Sequence, residues 1–107
     1  MQVWKQLSIY TSEGSRLGTR PLHTAMIATA LEQGLYSAIA IKSMEGFGPQ
    51  MAIPTANHMA MDSDLPIEIR ILDDPDRINA FLASQRDMLG TCVVVLRDVE
   101  VFWAPQA

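Results

Sequence analysis

Residues Leu65–Asp73 read LPIEIRILD. Ile67, Ile69 and Ile71 alternate with Glu68 and Arg70, the period-two pattern of a strand with one buried face. Asp74 and Pro75 follow at once. The aspartate is an acceptor suited to free helix N–H groups, and proline fits the first helical position, where no N–H is needed. Ile78, Phe81, Leu82, Met88 and Leu89 then form an apolar stripe at helical spacing, which Gly90 stops. Thr91–Leu96 (TCVVVL) is apolar on both sides and reads as a strand. A half-buried strand, a helix and a second strand in succession form one βαβ unit.

The upstream half repeats this order. Val3–Thr11 (VWKQLSIYT) is a strand with Val3, Leu7 and Ile9 on one side and Trp4, Gln6, Ser8 and Tyr10 on the other; Lys5 interrupts the apolar side. The polar segment Ser12–Arg20, with two glycines, is a loop. Pro21 opens a helix in which Leu22, Ala25, Met26, Thr29 and Ala30 share a stripe, and Gly34 ends it in the left-handed conformation. Tyr36–Met44 (YSAIAIKSM) is the next strand. Near the end of the chain Arg97–Asp98 predicts a turn, followed by a short strand over Val99–Trp103.

The predicted fold is therefore α+β: a single domain over residues 1–107, a ferredoxin-like βαββαβ sandwich with an extra C-terminal strand. Both helices cover one face of an antiparallel sheet. Ile39, Ile41 and the isoleucines of the 65–73 strand are expected under the helices. Trp4, Tyr10, Ala38, Ala40, Glu68, Arg70 and one side of the fourth strand are expected on the open face, which invites a second copy of the chain.

The composition sets limits. At 107 residues with a net charge of -4, the chain lacks the basic footprint of a nucleic-acid binder. No stretch approaches the ~20 apolar residues of a membrane-spanning helix. The single cysteine, Cys92, lies in an apolar run and reads as a small buried hydrophobe. One cysteine and no secretory apolar region at the start fit a reducing, cytoplasmic setting.

One segment stands apart from this scaffold. Glu45–Asp64 is a long loop between two strands, and loops of that length in small domains are usually functional or disordered. Gly46 and Gly48 flank Phe47; such a turn allows backbone N–H groups to approach an anion closely, and Phe47 can stack or anchor. Lys42 and Glu45 stand where the loop starts. Glu13, Arg16 and Arg20 lie in the first loop beside a helix start, where arginines and amides favour phosphate or carboxylate. Met44, Met51, Met59 and Met61 supply an adaptable surface. His23 and His58, with Glu13 or Asp62, match no metal-ligand spacing, and no nucleophile–base pair is recognisable.

The run IYTSEGSRLGTRPLHTAM (9–26), EGFG (45–48), SDLPIEIRILDD (63–74) and LRDVEV (96–101) resembles the domain-of-unknown-function family 190, which is similar to PII-like signalling proteins. The resemblance extends from Leu7 to about Phe102. It implies a ferredoxin-like subunit in a homotrimer with its sheets packed towards the centre. It also implies a small effector, such as an adenine nucleotide or another small anion, in clefts between subunits. The 45–64 loop would dock on a target protein. Ligand-binding residues on this reading are Glu13, Arg16, Arg20, Lys42, Glu45, Gly46, Phe47 and Gly48, with no catalytic residue and no metal. The chain departs from PII proteins proper in having only Leu89–Gly90–Thr91 between the second helix and the fourth strand, where those proteins place a longer phosphate-binding loop. The alternatives are a small ferredoxin-like oligomeric enzyme and a metal-handling accessory protein of the CutA type.

Overall fold

The computed structural model describes residues 1–48 and 64–105. Its elements run β1 (Gln2–Ser12), β2 (Arg16–Leu17), β3 (Arg20–Pro21), α1 (Leu22–Glu32), β4 (Ser37–Lys42), β5 (Pro66–Asp73), α2 (Pro75–Ser84), α3 (Arg86–Leu89) and β6 (Val93–Val101). The main sheet has the order β4-β5-β1-β6 with every neighbouring pair antiparallel. β1 and β4 both run against β5, and β5 and β6 both run against β1. Each helical connection is thus a crossover between parallel strands, which is the ferredoxin-like arrangement.

The start of α2 follows from local chemistry. Asp74 Oδ1 accepts the Arg77 N–H at 2.9 Å, and Pro75 opens α2 as the sequence predicts. The start of α1 differs from expectation. Pro21 is the residue before the helix, paired with Arg16 in a two-stranded ribbon that the polar first loop forms. Leu22 N–H, bonded to Ser15 O at 2.8 Å, closes that ribbon. Gly34, at φ +74, ends α1 as predicted. The second helical stripe is split: α2 stops at Ser84, whose hydroxyl bonds back to Phe81 O at 2.9 Å, and α3 carries Met88 and Leu89 onwards.

The core lies between the helices and one sheet face. It is built from Leu7, Ile9, Ile67, Ile69 and Ile71 on the strands and from Leu22, Met26, Ala30, Ile78, Phe81 and Leu89 on the helices. Cys92 packs partly buried against it.

Two expectations about the strands are overturned. The β4–β5 register pairs Ala38 with Ile71 and Ala40 with Ile69, so the alanines share the helix side. Ile39 and Ile41 pair with Arg70 and Glu68 on the open face, where they are 50% and 37% exposed. Alanines leave room for α1 to lie close over β4. The turn at Arg97–Asp98 does not form either. These residues continue β6 opposite Gln6 and Lys5, and Lys5 Nζ meets Asp98 Oδ1 at 2.7 Å. The expected extra strand is the far half of β6, and its last two residues, Phe102 and Trp103, lie exposed beyond the strand end.

The open face holds Ser8, Tyr10, Glu68 and Arg70 as expected. Glu68 Oε2 accepts from Ser8 Oγ at 2.9 Å and from Arg70 Nε at 2.9 Å. The Arg70 guanidinium, with help from Ser8, holds the Glu68 carboxyl below the usual carboxylate range against the opposing effect of desolvation. Val93 and Val95 of β6 flank this trio and are exposed. Trp4 is not bare as expected: it is buried, its ring meets Tyr36 edge-on at 5.0 Å, and its indole N–H donates to Gln2 Oε1 at 2.7 Å.

Candidate functional site

β1, β4 and β5 all have an end at the rim of the sheet where the long loop begins and finishes. Glu13, one residue past β1, donates its backbone N–H to Leu65 O at 2.9 Å. Gly14 N–H donates to Asp64 Oδ1 at 2.9 Å. A Cβ on Gly14 would stand 2.9 Å from that same oxygen, so a side chain there would push the Asp64 carboxylate aside. Lys42, the last residue of β4, places Nζ 2.8 Å from Glu13 Oε2. Ser43 then donates both its N–H, at 3.0 Å, and its hydroxyl, at 2.9 Å, to Pro66 O. The residues on either side of the long loop are therefore tied to each other and to the segment just after β1.

Glu13 is held unevenly. Oε2 has its ion pair, whereas Oε1 is shut off from solvent with no hydrogen-bond partner among the described residues. Thr11 Oγ1, two residues earlier, is in the same position. The Lys42 ammonium, hydrogen-bonded to the carboxylate, keeps the Glu13 carboxyl below its ordinary range; desolvation pulls the other way, and the Leu65 backbone and then His23 add smaller attractions.

Of the predicted ligand-binding residues, the structure brings Glu13 and Lys42 into contact. Gly46, at φ +148, stands beside Pro66, with a hypothetical Cβ 3.8 Å from the proline Cγ. Glu45 and Phe47 are exposed next to it, and Gly48 is half-buried. Arg16 and Arg20 occupy the β2–β3 ribbon. Among the described residues neither makes an ion pair, and neither is bonded to Lys42 or to residues 45–48. The expectations placed on Met51, His58, Met59, Met61 and Asp62 lie outside the described residues. Among the described residues, no three His, Cys, Asp or Glu side chains gather in a way that would hold a metal ion.

Sequence reasoning missed Gly14, Ser43, Asp64 and Thr11. The available signal was Asp64 itself, a short acceptor directly before the strand at Leu65–Asp73. After α3 the connection is short, as expected, but it spans Gly90–Cys92, closed by Cys92 N–H to Leu89 O at 2.9 Å, so that β6 starts at Val93 and not at Thr91.

The sequence model of the family DUF190 (uncharacterized ACR, COG1993) matches residues 4–101. The chain belongs to this family. A UPF0166 protein of Aquifex aeolicus (strain VF5) is 28% identical over 99 residues, covering 92% of this chain and 93% of the relative. Among solved structures, CPII from Thiomonas intermedia K12 bound to ADP, AMP and acetate superposes with a TM-score of 0.61 at 18% identity, over 92% of this chain and 88% of its own. The same protein bound to ADP and bicarbonate gives 0.61 at 18%, over 94% and 89%. At that identity the likeness establishes the fold alone, and this DUF190 chain shares the ferredoxin-like fold of those structures. Among the described residues no helix is long and apolar enough to cross a membrane.

Proposed function

We propose that this chain is a PII-like regulatory protein of the cytoplasm. It binds a small anionic effector, with an adenine nucleotide first in order, in clefts between the copies of a homotrimer. It passes the signal to a target protein through the 45–64 loop. The observation that carries this reading is the rim described above, where Lys42, Glu13 and Asp64 join the two ends of the long loop to the segment after β1, beside the Gly46–Phe47–Gly48 stretch. A charge arriving there acts directly on the segments that lead into and out of the loop. The likeness in fold to CPII, solved with ADP, AMP, acetate and bicarbonate, supports the choice of ligand class. The bare sheet face around Ile39, Ile41, Val93 and Val95 supports assembly.

Neither of the two shifted carboxyls suits acid–base catalysis. The carboxyls of Glu13 and Glu68 are both pushed down by cationic partners. A general acid or base working near neutrality needs the opposite shift. Thermal melting with ADP, AMP, bicarbonate and acetate, followed by calorimetry, tests the reading. A ligand at about 100 times its dissociation constant adds about 2.7 kcal/mol of stability. No shift with any of the four at millimolar concentration would overturn the ligand assignment, and a monomer by sedimentation would overturn the trimer.

A further inference from the structure

We propose that Glu13 is a built-in competitor for the anion at Lys42, and that displacing it loosens the two ends of the 45–64 loop. This inference rests on the reading of the chain as an anion-binding regulator. It follows from how the Glu13–Lys42 pair is built. The pair sits at the surface, with side chains 30% and 52% exposed, and such pairs are weakly held. A carboxylate has acceptor sites on both oxygens, yet among the described residues Glu13 Oε1 has no hydrogen-bond partner where it lies. Swinging the side chain into water gives that oxygen its hydrogen bonds back. The bound state of Glu13 is therefore poised to be exchanged for a better anion.

The class of that anion is the one proposed above. A ligand with several negative charges, of the nucleoside diphosphate kind, offers the Lys42 ammonium more charge than the single Glu13 carboxylate does.

Displacement is coupled to the loop through the backbone of the same residue. Glu13 N–H holds Leu65 O, and the next N–H, of Gly14, holds Asp64 Oδ1. Lys42 leads into Ser43, which is bonded to Pro66 O. Pulling Lys42 away from Glu13 removes the side-chain tie between the loop entry and the segment after β1, and leaves the Glu13–Leu65 and Gly14–Asp64 bonds to open more often.

The test uses the full chain, ADP as the probe, and the variants Glu13→Gln and Lys42→Met. Calorimetry should show Glu13→Gln binding ADP about tenfold more tightly than the wild type, and Lys42→Met losing binding. In ligand-free protein, the Gly14 amide should exchange with solvent about tenfold faster in both variants. If the wild type binds ADP and Glu13→Gln binds it equally or more weakly, the competitor role is overturned while the anion-binding reading stands. Binding by Glu13→Gln alone supports the proposal. If neither protein binds ADP, the nucleotide reading falls and the competitor with it. Gly14 exchange that is unchanged in both variants overturns the coupling to the loop.

Discussion

Ile69 and Ile39 lie on neighbouring strands in the same sheet, one fully buried and the other 50% exposed. The difference is parity alone. Ile69 faces α1 and α2, while Ile39 faces away beside Arg70. On the helix side the sheet completes a core within one chain. On the other side the same residue types are left beside a polar trio of Ser8, Glu68 and Arg70, and β6 carries Val93 and Val95 into the open. The covered face supplies the stability of the subunit, and the bare face is surface available to another copy.

Several measurements can break this comparison or sharpen it. The largest effect belongs to the covered face: Ile69→Ala should cost about 2–5 kcal/mol through lost burial and a residual cavity, read from urea unfolding. Ile39→Ala in dilute protein should stay within about 0.5 kcal/mol, as for a surface position. Equal costs would show that the two faces do not differ in the way described. Val95→Glu should leave the circular dichroism unchanged but reduce the sedimenting mass to that of one chain, because it places a charge on the face proposed to meet other copies. An intact assembly in that variant would remove the open face from the interface.

Smaller effects concern the polar groups that frame each side. Asp74→Ala removes the α2 cap and should lower stability by about 1 kcal/mol, seen as a reduced melting temperature. The Glu68 carboxyl is depressed in the folded protein by Arg70 and Ser8, so the unfolded chain binds the proton more readily. Its contribution is present above the unfolded value near ~4.3 and is lost as pH falls through the folded value. Urea midpoints measured downwards from pH 6 should therefore fall less steeply in Glu68→Gln than in the wild type. The smallest change is expected from Gly14→Ala. The new Cβ pushes aside the Asp64 carboxylate, a movable side-chain end. Global stability should hardly alter, while the Gly14 amide bond to Asp64 is lost to exchange.

Much of this architecture could be read from the residues. The 65–73 strand, the Asp74–Pro75 helix start and the Gly34 helix end formed as expected, because each depends on a few neighbouring residues. Errors arose where the outcome depended on distant chain. Alternation in YSAIAIKSM shows that Ile39 and Ile41 share a side but not which side it is. Arg97–Asp98 looks like a turn until Gln6 and Lys5 are placed opposite it. Glu13 and Lys42 were each singled out as candidates, yet nothing local indicated that they pair.

The sequence by itself determined the periods, the caps and the order of elements, since backbone conformation responds mainly to nearest neighbours and to burial pattern. Only the tertiary structure decided the facing of β4, the continuity of β6 and the Glu13–Lys42–Asp64 clasp. Those features are set by pairing across the sheet, and pairing joins residues whose proximity exists only once the chain has folded.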